Sequence, residues 1–160
     1  MADSAAQSPS TKKGTTATDG FSAEERAAIK ERAAELKAQG RSGRAAEKAA
    51  ADEAALLAKI AEMPEGDRAL AERVHDIVTT VAPDLAPKLY YGQPGYARNG
   101  KPLCFFRSGQ MDKERYSTFG FSAQADLDDS KGIWPTSYAI ADPTEAAWDQ
   151  LAELIRKAAG

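Results

Sequence analysis

The pair Asn99-Gly100 constrains this chain more than any other feature. It stands between Tyr96-Ala97-Arg98 and Lys101, with the nearly all-apolar run Leu103–Arg107 just beyond. A two-residue type I′ turn needs positive φ at both central positions, which Asn and Gly tolerate, and its twist matches that of the strands it joins. Asn-Gly at this place therefore predicts an antiparallel hairpin. In the strand that follows, alternation puts Leu103 and Phe105 on one face and Cys104 and Phe106 on the other. Two further segments read as strands: the aromatic-rich Arg115–Phe121 and the β-branched and aromatic Thr136–Ile140.

Helical patterns flank these strands. Ala54–Glu62 reads as a short helix with Leu56, Leu57 and Ile60 on one side, interrupted by Pro64. From about Asp67 to Val81, the residues Leu70, Val74, Ile77, Val78 and Val81 recur at helical period, and Pro83 stops the helix. The last helix opens at Asp142-Pro143-Thr144-Glu145, with Asp142 as N-cap and Pro143 at the first helical position. Trp148, Leu151 and Ile155 mark its buried stripe. Consecutive strands with short connections argue for an α+β fold: an antiparallel meander of about four to five strands with helices packed on one face.

The first 51 residues differ in kind. Residues 1–20 hold no Val, Ile, Leu, Phe, Tyr or Trp, so they are expected to be a disordered tail. They also lack the apolar stretch of a secretory signal. A leading helix is expected from Ala23 to about Gln39, opened by a Ser22/Glu25 capping box and ended by Gly40 and Gly43, with a linker to residue 51. Its large apolar residues are only Ile29 and Leu36, a thin stripe that suits a helix standing in solvent. The domain proper then spans 52–160.

Charge and composition exclude several functions. Residues 21–50 carry seven Lys and Arg against five Asp and Glu, while residues 51–160 carry 12 against 17. The core domain is acidic, and the glutamates of the leading helix nearly balance its cations, so nucleic acid is not an expected partner. No apolar run approaches a membrane span, so no membrane partner is expected either. The single Cys104 has no internal disulfide partner, which points to a reducing, cytoplasmic setting, and the single His75 excludes a two-histidine site. There is no Gly-rich phosphate loop. A Cys104 nucleophile with His75 as base is weak, because a small buried hydrophobe is expected inside Leu103–Phe106. The chain reads as a binding protein, not an enzyme.

One segment invites a ligand. Lys88-Leu89-Tyr90-Tyr91-Gly92-Gln93-Pro94-Gly95-Tyr96 holds three tyrosines and a lysine around an irregular strand entry. Lys88, Tyr90, Tyr91 and Tyr96 form a candidate groove for a small ligand or a partner protein, with Trp134 as its lid. The competing reading is that the tyrosines fill the core, Trp134 plugs it and Lys88 faces solvent.

The same segment, a lysine followed by aromatic-Gly-x-Pro-x-Tyr, resembles the YdhG-like family of small bacterial domains of unknown function. The Leu57–Ile60 helix, the Gly100-Lys101 turn, the Gly120-Phe121-Ser122 strand end and the C-terminal Leu154-Ile155-Arg156-Lys157-Ala158 agree in order, over about residues 52–158. Tyr91 stands where members commonly carry Trp. The resemblance implies an antiparallel sheet flanked by helices. Because at least one member is described as a frataxin-like iron chaperone, it also implies a weak iron-binding role with an iron-accepting protein partner. Such a site needs exposed carboxylates. Asp126, Asp128 and Asp129 in one loop, and Glu72 and Asp76 one turn apart on a helix, are the metal candidates; solvated acidic surface is the competing reading.

Overall fold

The computed structural model describes residues 22–160, so the expected tail over residues 1–20 lies outside the described residues. The chain divides into two compact units at Arg44/Ala45. Among the described residues, the elements run α1 (Ala23–Ala61), α2 (Glu65–Val81), β1 (Ala86–Tyr90), β2 (Gln93–Arg98), β3 (Lys101–Arg107), β4 (Ser117–Phe121), β5 (Ser137–Ile140) and α3 (Glu145–Ala159). The five strands form one antiparallel sheet in the order β1-β2-β3-β4-β5. This is the expected α+β meander.

The leading helix does not end at Gly40. α1 runs through Gly40 and Gly43 to Ala61, so the expected linker over 40–51 is helical and the Ala54–Glu62 helix is the end of α1. Neither glycine takes the positive φ of a helix stop. Each costs about 1 kcal/mol relative to Ala, and the Ala-, Glu- and Lys-rich sequence on both sides outweighs that. At Pro64 (φ −54°, ψ 150°) the chain turns into α2.

Four-residue arithmetic explains the hairpins. Arg98 pairs with Lys101 across Asn99 and Gly100, whose φ values of 53° and 78° are those of a type I′ turn. A second turn of the same kind joins β1 to β2: Tyr90 pairs with Gln93 across Tyr91 (φ 48°) and Gly92 (φ 76°). What reads in sequence as an irregular strand entry is this hairpin.

On the inner face, Tyr96 opposes Cys104, Cys104 opposes Phe121, and Phe106 opposes Phe119. Leu56 and Ile60 of α1, Val74 and Val78 of α2, and Trp148, Leu151 and Ile155 of α3 complete one core with these residues. The strict alternation expected in β3 fails at one place. Tyr96 pairs with Cys104 but the next residue, Ala97, pairs with Pro102, so Leu103 is the extra residue of a bulge. A bulge sets two successive residues against one on the partner strand and breaks the alternation. Leu103 and Cys104 accordingly both join the core, at 1% and 0% exposure, and Leu103 does not share the outer face with Phe105.

α3 is capped two residues later than expected. The Thr144 hydroxyl accepts from the Ala147 amide at 3.2 Å, which makes Thr144 the N-cap and leaves Asp142 and Pro143 outside the helix.

Candidate functional site

The register decides which of the predicted groove residues meet. Tyr90 lies opposite Gln93, two residues before Gly95, and so faces outward; Tyr96 is out of phase with both and faces the core. Tyr96 is fully buried, and its hydroxyl lies 3.0 Å from Nδ1 of His75 on α2. His75 Nε2 in turn lies 3.7 Å from Glu53 Oε1. Burial, then the nearby Cys104, Asp76 and Glu53, push the Tyr96 phenol well above its ordinary range. Burial likewise pushes the Cys104 thiol up to about 12. A thiol that stays protonated, with the imidazole bonded to a tyrosine instead, is not an activated nucleophile.

Trp134 also leaves the groove. Half-buried against the core, it lines a separate cavity of about 500 Å³ with Phe121, Ala125, Leu127 and Asp128. Lys88 is half-buried on β1, opposite Gly95. The structure therefore joins Tyr90 and Tyr91 but parts them from Tyr96 and Trp134.

What Tyr90 and Tyr91 join is the outer face. Their rings meet edge to face at 4.7 Å between centroids, and Tyr90 meets Phe105 at 5.4 Å. The Phe105 ring lies over Gly120, and Tyr90 passes Gly95 at its Cβ, so both close approaches require glycine. A Cβ on Gly95 would come within 2.8 Å of Tyr90 Cβ, and one on Gly120 within 2.4 Å of the Phe105 ring. With Arg107 these aromatics line a pocket of about 140 Å³. Arg107 also lines a neighbouring groove of about 500 Å³ with Ser108, Gly109, Asp112, Glu114, Tyr116 and Thr118.

Arg107 is held in place by a relay from the interior. Its Nε and Nη2 both reach Asp112 Oδ2 at 3.1 Å. Gln93 Nε2 donates to the other Asp112 oxygen at 3.4 Å, and Gln93 Oε1 accepts from the Ser108 amide at 2.7 Å. Asp67, buried in the first turn of α2, accepts from Ser108 Oγ at 2.5 Å and from the Gln110 amide at 2.9 Å. The groove wall 107–112 is thus anchored to α2. Sequence reasoning missed Phe105, Arg107, Asp112 and Gln93; the available signals were Gly95 and Gly120, small residues in otherwise bulky strands.

The acidic candidates are dispersed. Asp126, Asp128 and Asp129 are all exposed, and Asp129 Oδ1 accepts from the Lys131 amide at 2.8 Å, closing a local turn. Glu72 and Asp76 are exposed on α2. Among the described residues no group of three or more His, Cys, Asp or Glu is placed to hold a metal ion. Nor, among them, is any helix long and apolar enough to cross a membrane. Comparison of the chain with protein-family models, with curated proteins and with solved structures gives no match.

Proposed function

We propose that this is a non-enzymatic binding domain that takes a small planar ligand bearing an anionic group on the outer face of its sheet. The ligand's plane stacks on the exposed Tyr91 ring, with Tyr90 and Phe105 walling the pocket beside it, and its anion meets Arg107. The observation that carries this reading is Tyr91. It sits at φ 48° with 86% of its surface exposed. A bulky residue in the left-handed region costs about 1–2 kcal/mol, and here no core contact offsets that cost. Glycine, already present next door at Gly92, would serve the turn better. An exposed aromatic kept at a strained position beside a second aromatic and a pre-positioned guanidinium is what a ligand platform requires. A guanidinium carries five donors, and Asp112 orients the group without using them all.

Heteronuclear NMR of the full chain titrated with simple aromatic carboxylates tests this. Amide shifts should cluster at Tyr90–Gln93, Phe105–Arg107 and Thr118, and Tyr91→Ala should abolish them while leaving the rest of the spectrum in place. Shifts confined to other parts of the surface, or none at millimolar ligand, would remove the platform reading.

A further inference from the structure

The unit ending at Arg44 carries a second surface, independent of the outer sheet face. Over residues 22–44 every side chain is exposed, and α1 is unbroken there. Helical geometry of 100° per residue sorts its charges. Arg26, Lys30, Lys37, Arg41 and Arg44 recur at +4, +7, +4 and +3, and so fall within about 60° of one another around the axis. The glutamates at 24, 25, 31 and 35 all lie elsewhere, the nearest about 80° away from the row. The sixth cation, Arg32, lies off the row and pairs with Glu35 at 3.2 Å. The one missing step of the row is filled by Ala33 and Ala34, not by an acid. The row is about 27 Å long, at 1.5 Å per residue.

We infer that this row is a sequence-independent binding surface for the phosphate backbone of double-stranded DNA. The charge pattern asks for an anion that is itself linear, and a duplex presents one phosphate charge per about 1.7 Å of axis. Two other acidic partners fit less well. An anionic membrane surface needs large apolar side chains along the shoulder of the helix, and an acidic protein groove needs apolar anchors at i, i+3, i+4 and i+7. Over 22–44 the large aliphatic residues are Ile29 and Leu36, 53% and 52% exposed, and between that pair and the cation row around the α1 axis lie only Ala33 and Gly40. At Gly40 the Arg44 side chain folds back and its Nε donates to the Gly40 carbonyl at 3.3 Å, which ties that cation to the row.

The test is anisotropy of a labelled mixed-sequence duplex of about 20 base pairs, with the full chain, over about 25–200 mM salt. The chain should bind at the low end, with a slope of log K against log salt near −3, the value for three to four neutralised phosphates. Lys30→Gln/Lys37→Gln/Arg41→Gln should weaken binding at least about tenfold and flatten the slope, since Gln keeps the helix propensity of the cations. Lys101→Gln/Lys113→Gln/Lys131→Gln, which removes equal charge elsewhere, should change neither. A gain of function guards against loss of helix. Ala34→Lys fills the gap in the row and should tighten binding and steepen the slope by about 0.9, whereas Ala28→Lys, on the far side, should not. Absence of binding at the lowest salt overturns the inference. So does equal weakening by the control triple, equal gain by the two lysine insertions, or equal affinity for phosphatidylserine vesicles or polyglutamate.

Discussion

On the inner face of the sheet, Tyr96, Phe106 and Phe119 are fully buried, and the Tyr96 hydroxyl among them is met by His75. On the outer face, Tyr90 and Phe105 are half-buried and Tyr91 is exposed. The same residue types, a few positions apart, thus do different work. Inside, aromatic area removed from water supplies stability, at roughly 25 cal/mol per Å². Outside, the Phe105 ring covers Gly120 while the Tyr90 and Tyr91 rings stand inclined to it and to each other, walling a small pocket in place of dense packing. A glycine inside a strand costs stability, and β2 and β4 each carry one here, so the outer face trades stability for shape.

The inner face carries the largest energetic effect. Phe106→Ala should lower the unfolding free energy by about 3–5 kcal/mol in chemical denaturation, the usual cost of emptying a buried aromatic site. Asp67→Ala comes next, at about 2–3 kcal/mol, because it strands the Ser108 hydroxyl and the Gln110 amide that the carboxylate accepts. Amide exchange should then speed up across 107–112 before the core strands are affected. On the outer face, Gly120→Ala forces the Phe105 ring off the sheet and should cost about 1–3 kcal/mol. Its diagnostic is loss of the Tyr90–Phe105 ring contact with the core packing retained.

Alkaline titration sharpens the same contrast. The Cys104 thiol is raised by burial from near 9 to about 12. Between those values the unfolded chain releases a proton that the folded chain keeps, so stability falls as pH rises from about 9 to 12, by up to about 1.4 kcal/mol per pH unit. Tyr96, raised for the same reason, adds to the loss above about pH 10. Cys104→Val should remove the thiol's share. The smallest effect belongs to Tyr91→Gly. It relieves the left-handed backbone and should raise stability by about 0.5–1 kcal/mol while abolishing ligand binding, as Tyr91→Ala does. A change of both in one direction would separate the strain from the proposed site.

Periodicity and local turn chemistry determined much of this molecule from the sequence alone. Val74 and Val78, Trp148, Leu151 and Ile155, and the Asn99-Gly100 turn are local patterns, and each appears in the structure where its spacing puts it. Their physical origin is short-ranged: 3.6 residues per turn in a helix, two per repeat in a strand, and positive φ at two turn residues. Three things needed the tertiary structure. The bulge at Leu103 turns on how β2 and β3 pair, and it brings Leu103 to the Cys104 side against the alternation read from β3 alone. Tyr90 and Tyr96, read together as one groove, part because the Tyr91-Gly92 hairpin sets their register on opposite faces. The glycines at 40 and 43 look like stops, yet their cost is small beside the helix propensity around them. Only with the helix continuous do the cations from Arg26 to Arg44 share a phase, so a segment that looks nearly balanced by charge count is polarised around its axis. Pairing register and helix continuity are sums over many residues, and no short window of sequence contains either.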